Sequence, residues 1–342
     1  MFRSRGLSIR KTFAYRALPR SKESTITCAS RLRERSIPLS RSSRSITLKT
    51  SHQATQALKR YFWSFTGRVA RLNVNLFKKS LKEIRVSWPS YMVGLLFYVY
   101  LLISIYPTVQ QRSAEIQELL KSYPKGFIEI FGGGSAVSFT TVEGFLSLEF
   151  FSLMWFVIIG AFVIGYGAAA LGKELESGTI EILLSQPITR TSALVTKSLN
   201  LFISTIGMVV LTVLATYVFG LVVGLKPKVD GIVALIVIGT LFFLAIGAIS
   251  LFFSVLLGER GRAALTTSGL LVSMYFITVV AGLANWDWIK KLERISLFHY
   301  YDSAKLLSTG NIPAKSLLVY AGTAIVFYLG SILVFRRRDI AP

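Results

Sequence analysis

Long uncharged segments alternate with short charged ones along most of the chain. Six windows contain no Asp, Glu, Lys or Arg, and they are 26, 23, 28, 28, 24 and 20 residues long. A helix needs about 20 mostly apolar residues to cross the hydrocarbon core of a bilayer. The pattern therefore predicts an all-α integral membrane protein with six transmembrane helices. The predicted spans are residues 90–106, 150–171, 198–224, 231–257, 263–283 and 317–335.

A basic amphipathic segment precedes the first span. Between residues 68 and 88, apolar side chains recur at steps of three and four residues among lysines and arginines, and they are Leu72, Leu76, Phe77, Leu81 and Ile84. This spacing predicts a helix that lies in the headgroup layer of the membrane. We therefore divide the chain into a tail at residues 1–58, an interfacial helix region at 59–89 and a six-span domain at 90–338.

Proline and aromatic residues mark the edges of the predicted elements. Pro107 predicts the end of span one, because proline interrupts helical hydrogen bonding. Aromatic residues are enriched where spans meet water. We therefore expect four residues of the loop before span six to anchor the outer interface: Trp286, Trp288, Tyr300 and Tyr301.

Two further sets of residues inside the spans leave alternatives open. Ser250 and Ser254 are spaced for close helix approach, and packing within one subunit is favoured over packing between subunits. The aromatic residues Trp155, Tyr275 and Phe276 face either a substrate path or the lipid.

The positive charge of the chain is concentrated near its start. The 342 residues carry a formal net charge of +22, of which residues 1–88 supply +18 from 21 Lys and Arg and 3 acids. Residues 1–58 are rich in Arg and Ser, which fits an organelle transit peptide, a disordered tail, or a start codon that lies downstream. Binding of a specific nucleic acid is not expected, because a basic flank of a polytopic membrane protein faces anionic lipid.

The distribution of cations predicts the orientation. With both termini cytosolic, the inside segments from residue 59 onward carry 16 Lys and Arg and the outside loops carry 10. This bias agrees with the positive-inside rule. We therefore expect a multi-pass protein of the cell membrane with cytoplasmic N- and C-termini, and residues 172–197 on the cytosolic side.

The segment GKELESGTIEILLSQPITR, residues 172–190, is a short polar and amphipathic stretch between two spans. Ser177 is a candidate N-cap for a helix that Pro187 ends after about two turns. Thr191 or Ser192 is a candidate cap for the next helix. Two turns are too short to be stable alone, so the apolar face of this helix must dock on its own protein, the membrane surface or a partner.

This segment also resembles a family signature. It is similar to the segment between the second and third spans of ABC-2 type transporter permeases, roughly E-x-x-x-G-T-hydrophobic-E-x-L-L-S-x-P-hydrophobic-S/T-R. The residues that match are Glu174, Gly178, Thr179, Glu181, Leu183, Leu184, Ser185, Pro187 and Arg190. The runs YPKGFIEIFG after span one and LFHYYDSAKLLSTG before span six are similar to the same family.

The resemblance implies the membrane subunit of an ABC exporter. In that family two six-span subunits, as a homodimer or heterodimer, form the path, and each rests on a cytosolic ABC ATP-binding subunit. Residues 172–190 would couple the membrane subunit to its ATP-binding subunit. Ile180, Leu183 and Leu184 would insert into a groove of the ATP-binding subunit, and Gly178 would supply backbone freedom. Glu174, Glu176 and Arg190 would form ion pairs at the rim of this groove. The implied coupling residues are Glu174, Glu176, Gly178, Thr179, Ile180, Glu181, Leu183, Leu184, Pro187 and Arg190.

The chain offers no energy source of its own. It lacks the G-x-x-x-x-G-K-[S/T] run that cradles nucleotide phosphates, so we expect no enzymatic activity or cofactor, and ATP bound by the partner subunit. The six predicted spans contain no Asp, Glu, Lys, Arg or His, which argues against a proton-coupled pump. The alternative is a stand-alone secondary transporter or channel. With one cysteine and two distant histidines, a metal site is not expected either.

Overall fold

The computed structural model describes residues 74–112, 141–180, 189–224, 228–283 and 286–338, together with the single residues 115 and 118. Six of its helices are long and apolar enough to cross a membrane, which confirms the six-span prediction. In chain order they are α2 (Ser87–Gln111), α4 (Met154–Glu176), α5 (Arg190–Val222), α6 (Val229–Leu257), α7 (Arg260–Leu283) and α10 (Ala314–Arg337). We refer to them as spans one to six.

Shorter elements connect the spans. The helix α1 (Val74–Ile84) precedes span one, and α3 (Val142–Leu146) and a π-helical turn (Ser147–Phe151) precede span two. The segment before span six, predicted as a loop, contains α8 (Asp287–Glu293), a 3-10 turn (Leu297–Tyr300) and α9 (Ser303–Thr309).

Span one does not end at Pro107 as predicted. The helix continues through Pro107 to Gln111. Proline removes one helical hydrogen bond, but spans tolerate it because neighbouring groups and local adjustments satisfy the freed carbonyl. Pro89 lies near the start of the same helix, where the missing N–H has no intrahelical acceptor.

The helix α1 confirms the predicted amphipathic segment, although its buried face is narrower than expected. Leu76, Ser80 and Ile84 are buried at steps of four residues, whereas Leu81 is exposed. At the turn into span one, Trp88 Nε1 donates a hydrogen bond to the Ser204 carbonyl at 3.0 Å. This bond joins the beginning of span one to the middle of span three.

Span four is the most buried of the spans, and small residues seat it against span two. The Ser250 hydroxyl donates to the Ile164 carbonyl at 2.9 Å, and the Ser254 hydroxyl donates to the Ala168 carbonyl at 2.8 Å. A Cβ atom on Gly167 would lie 2.8 Å from Ser250 Oγ. These contacts confirm that Ser250 and Ser254 pack within one subunit.

An aromatic core lies where the start of span two packs against the middle of span four. Trp155 is fully buried and packs edge-on against Phe151 and Phe243, with ring centroids 5.1 Å apart in both pairs. Trp155 therefore faces neither lipid nor an open path.

The predicted interface anchors divide into two groups. Trp286 and Trp288 are exposed and stacked on each other with ring centroids 6.0 Å apart, as expected of residues that face the interface. Tyr301 is only 8% exposed and packs edge-on against Phe156 at 4.7 Å, so its assignment as an anchor was wrong. The chain folds back after α8 and carries Tyr301 into the core.

Candidate coupling site

Residues 172–190 lie at one end of the helical bundle, and all six spans have one terminus at this end. Here span one begins, span two ends, span three begins, span four ends, span five begins and span six ends, and α1 packs against span three. We call residues 174–190 the coupling segment and this end of the bundle the coupling end.

The helix of span two ends within the coupling segment, just before Gly178. Span two continues to Glu176, Ser177 is its C-cap, and Gly178 adopts φ +68°, a left-handed conformation that favours glycine. The Ser177 hydroxyl donates to the Lys173 carbonyl at 2.7 Å and lies 2.8 Å from the Thr179 hydroxyl. Ser177 thus ends span two, and its predicted role as an N-cap was wrong.

Ile180 is the first anchor of the segment. It is 2% exposed in the chain alone and belongs to an apolar cluster contributed by α1 and spans two, three, four and six. The cluster comprises Leu76, Leu171, Ile180, Ala193, Leu194, Val255, Ile332 and Phe335. In this structure Ile180 therefore packs on its own protein, in contrast to the predicted insertion into a partner groove.

Glu174 forms a buried ion pair with Lys197. The Lys197 ammonium group donates to the Glu174 carboxylate and, at 2.6 Å, to the Ala170 carbonyl, and Lys197 is 4% exposed. Lys197 lies seven residues inside span three, which begins at Arg190 and not at residue 198 as predicted. It is the buried charged residue that the sequence analysis missed, since it was assigned to the charged boundary of a span.

Glu176 and Arg190 are also engaged within the chain. The Glu176 carboxylate accepts a hydrogen bond from the Arg260 backbone N–H at 3.1 Å, at the start of span five. The Arg190 guanidinium donates to the Arg338 carbonyl at 2.7 Å, at the end of span six. The groups predicted to form ion pairs with a partner are therefore used to join spans of the same chain.

Arg338 completes these links and was not singled out in the sequence. Its guanidinium donates to the carbonyls of Val255 and Leu256, the latter at 3.3 Å, at the end of span four. Gly258, with φ +73°, leaves room for it, because a Cβ atom there would lie 2.9 Å from Arg338 Cζ. In the sequence Arg338 was counted only among the cations that predict the orientation, and no pattern distinguishes it from Arg336 and Arg337.

The far end of the segment is capped by Thr189. Its hydroxyl accepts a hydrogen bond from the Ser192 N–H at 3.2 Å. The observed cap therefore lies two or three residues before the predicted candidates, Thr191 and Ser192. Glu181, Leu183, Leu184 and Pro187 lie outside the described residues, as does the YPKGFIEIFG run. Their predicted roles stay predictions.

A second feature is an apolar cleft between spans two and five. It has a volume of about 410 Å³, and its lining includes Gly160, Ile164, Leu271, Tyr275 and Phe276. Phe276 is 60% exposed, and Tyr275 packs edge-on against Phe298 at 5.3 Å. Of the three aromatic residues left open in the sequence, Tyr275 and Phe276 thus line an accessible cleft.

Comparison with known proteins defines the class. The family model described as ABC-2 family transporter protein matches residues 74–340. The chain therefore belongs to the ABC-2 transporter family and is a multi-pass membrane permease component of an ABC transporter. No curated protein matches the chain.

Proposed function

We propose that this chain is the export permease of an ABC-2 type transporter, driven by a separate cytosolic ATP-binding subunit that docks on the coupling segment. A second six-span subunit, identical or different, completes the path. The chain itself contributes no nucleotide-binding site, and ATP is bound and hydrolysed by the partner. Family membership is the basis for the partner and for the direction of transport.

The geometry of the coupling segment is the observation that carries this proposal. The segment continues span two, reaches span three through Glu174 and Lys197, and reaches span five through Glu176 and Arg260. Arg190 and Arg338 extend the links to spans six and four. A displacement of this segment is therefore passed to five spans at once, as a site that receives motion from a motor requires.

The same end of the bundle is proposed to face the cytosol. It carries Lys173, Arg190, Lys197, Arg260, Arg262 and Arg336–Arg338, in addition to the lysines of α1. Cytoplasmic segments near spans are enriched in Lys and Arg. This orientation places both termini in the cytosol and the coupling segment within reach of a cytosolic ATPase.

The apolar cleft between spans two and five is proposed to form one wall of the export path. It is concave, accessible and lined mainly by apolar side chains, which are properties of ligand sites. A second subunit placed against it would close it from the lipid. Spans five and six leave most of their surface uncovered within one chain, which leaves room for such a neighbour.

Co-purification of the ATPase tests the proposal. Replacement of both Leu183 and Leu184 by Asp is expected to abolish association with the ATP-binding subunit and leave membrane insertion intact. The matched control is Leu292→Asp with Ile295→Asp, two exposed apolar residues near α8 at the other end. Retention of the ATPase by the first variant, or equal loss in both, would contradict docking at the coupling segment.

One observation favours the alternative of a stand-alone, proton-coupled transporter. Lys197 and Glu174 form an ionisable pair between two membrane-spanning helices, spans three and two. Such pairs occur in proton relays. Vesicles that contain this chain alone, loaded with a pH-sensitive dye, distinguish the two. Proton flux that is lost in Lys197→Met would support the alternative, and absence of flux would support the ATP-driven permease.

A further inference from the structure

We propose that a pocket between α1 and spans two and five binds the phosphate headgroup of an anionic phospholipid. The pocket has a volume of about 250 Å³ and lies at the coupling end. Its lining combines Ser80 and Glu83 of α1, Lys173 of span two and Arg260 of span five. The site goes beyond the proposed function, because it needs neither the ATPase nor a transported substrate.

The charge of the lining favours an anion. Lys173 and Arg260 are exposed to the pocket, and neither forms an ion pair with any carboxylate in the described part of the chain. Lys197 also lines the pocket, but Glu174 neutralises it. Glu83 contributes the single carboxylate of the lining, so a net positive charge remains. Basic pockets between transmembrane helices are suited to anionic headgroups.

A buried hydroxyl adds a hydrogen-bond donor to the pocket. Ser80 is 1% exposed and lines the pocket beside Tyr166, whose hydroxyl group interacts with it. Buried hydroxyl groups are nearly always hydrogen-bonded. A phosphate oxygen held between Lys173 and Arg260 would accept a hydrogen bond from this hydroxyl.

The lower half of the pocket identifies the source of the phosphate as a lipid. Below the cations, the wall of span two contains one polar side chain, Tyr166. Its other residues are small or apolar, among them Ala161, Phe162, Gly165 and Ala169. From Ala161 to Lys173 this wall extends about 18 Å at 1.5 Å per residue. That length is close to one leaflet of a bilayer, whose whole hydrocarbon core is about 30 Å thick. A free phosphate would occupy the charged part alone, whereas a phospholipid fills both parts.

Gly165 keeps this groove open. A Cβ atom placed on Gly165 would meet nothing within 4 Å, so a larger side chain there can extend into the groove that Gly165 lines. Gly322 of span six has the same property and lies outside the pocket lining. The two glycines therefore provide a matched pair of substitutions that leave every charge in place.

The first test measures bound lipid on the full chain in nanodiscs of phosphatidylcholine with a minor fraction of phosphatidylglycerol, by native mass spectrometry. We expect phosphatidylglycerol to be retained preferentially. Each cation near a membrane surface contributes about fivefold to such binding, so Lys173→Gln with Arg260→Gln should lose on the order of 25-fold. Lys291→Gln with Lys315→Gln removes the same charge from the other end and should retain it. Equal retention by both variants would overturn the proposal.

The second test separates the sources of the phosphate. Gly165→Leu should lose the bound phosphatidylglycerol and Gly322→Leu should keep it. Inorganic phosphate, added to lipid-depleted protein and followed by calorimetry, should bind weakly and compete poorly. Tight phosphate binding that Gly165→Leu leaves unchanged would overturn the lipid assignment. So would a Lys173/Arg260 variant that keeps its lipid but loses the ATPase, because the pocket would then receive an acidic side chain of a partner.

Discussion

The ammonium group of Lys197 is held between the Glu174 carboxylate and the Ala170 carbonyl, almost entirely out of contact with solvent. One pair thus joins the end of span two, where the coupling segment begins, to the first two turns of span three. Removal of one partner leaves the other charge buried and unpaired, which costs about 3–5 kcal/mol.

The two charges should therefore depend on each other. We expect Lys197→Met to lower the thermal unfolding temperature of the detergent-solubilised protein strongly. Lys197→Met combined with Glu174→Gln should recover most of the loss, because no uncompensated charge remains. Additive losses in the double variant would show that the two residues act separately.

Gly178 should be sensitive through its backbone alone. A Cβ atom there meets nothing within 4 Å, but φ is +68°. Gly178→Ala should cost about 1–2 kcal/mol through left-handed strain, measured as a shift in Tm. Gly178→Asn should cost less, since asparagine visits this conformation more readily. Equal effects of Ala and Asn would indicate that contacts, and not strain, decide the outcome.

An added methyl group should destabilise the protein at Gly167, where spans two and four are in close contact, and should have no effect at Gly165. Gly167→Ala places Cβ 2.8 Å from Ser250 Oγ, whereas Gly165→Ala meets open space. Overpacking of this kind typically costs about 1–3 kcal/mol. We expect Gly167→Ala to reduce the Tm and the yield of monodisperse protein, and Gly165→Ala to leave both unchanged. A harmless Gly167→Ala would contradict the close approach of these helices.

Replacement of Arg190 should destabilise the protein more than replacement of an exposed arginine at the same end of the bundle. Arg190→Ala removes the hydrogen bond to the Arg338 carbonyl, and we expect a loss of about 1.5–3 kcal/mol because the donor is charged. Arg262→Ala is the control, since Arg262 is exposed and forms an ion pair with the exposed Glu259. An exposed pair contributes at most about 1 kcal/mol. The comparison is made by thermal unfolding and by ATPase activity of the co-purified complex.

The tail at residues 1–58 should be dispensable for membrane assembly. The prediction rests on its composition, which lacks an apolar stretch long enough to pack or to insert. Deletion of residues 1–58 should leave insertion unchanged, as measured by carbonate extraction of membranes. Loss of insertion in the shortened chain would contradict it.

The spans and the amphipathic helix were predictable because each follows from local composition. Charge-free windows of about 20 residues locate membrane helices whatever their neighbours are. Helix ends were less predictable. Span one crosses Pro107, and span three begins at Arg190, because lipid and neighbouring helices favour continued helix where proline or charge suggests an end.

The links of the coupling site could not be predicted from the sequence. The pairs Arg190 with Arg338 and Glu176 with Arg260 join residues 148 and 84 positions apart, and no local pattern marks them. The family signature includes Glu174 and Arg190, and the resemblance implied a role for Glu176 as well. Their partners depend on how six helices converge, and this is information that only the three-dimensional arrangement contains.

The hydrogen bonds of Arg338 determine where a tag can be attached for imaging and purification. The guanidinium and the carbonyl of Arg338 both form hydrogen bonds with other helices, so the end of span six cannot be altered without loss of these contacts. An affinity tag or fluorescent fusion should therefore be attached beyond this arginine through a spacer. A reporter joined directly to Arg337 would replace Arg338 and remove its hydrogen bonds to spans three and four. The signal would then describe a transporter in which these helices are held together less firmly.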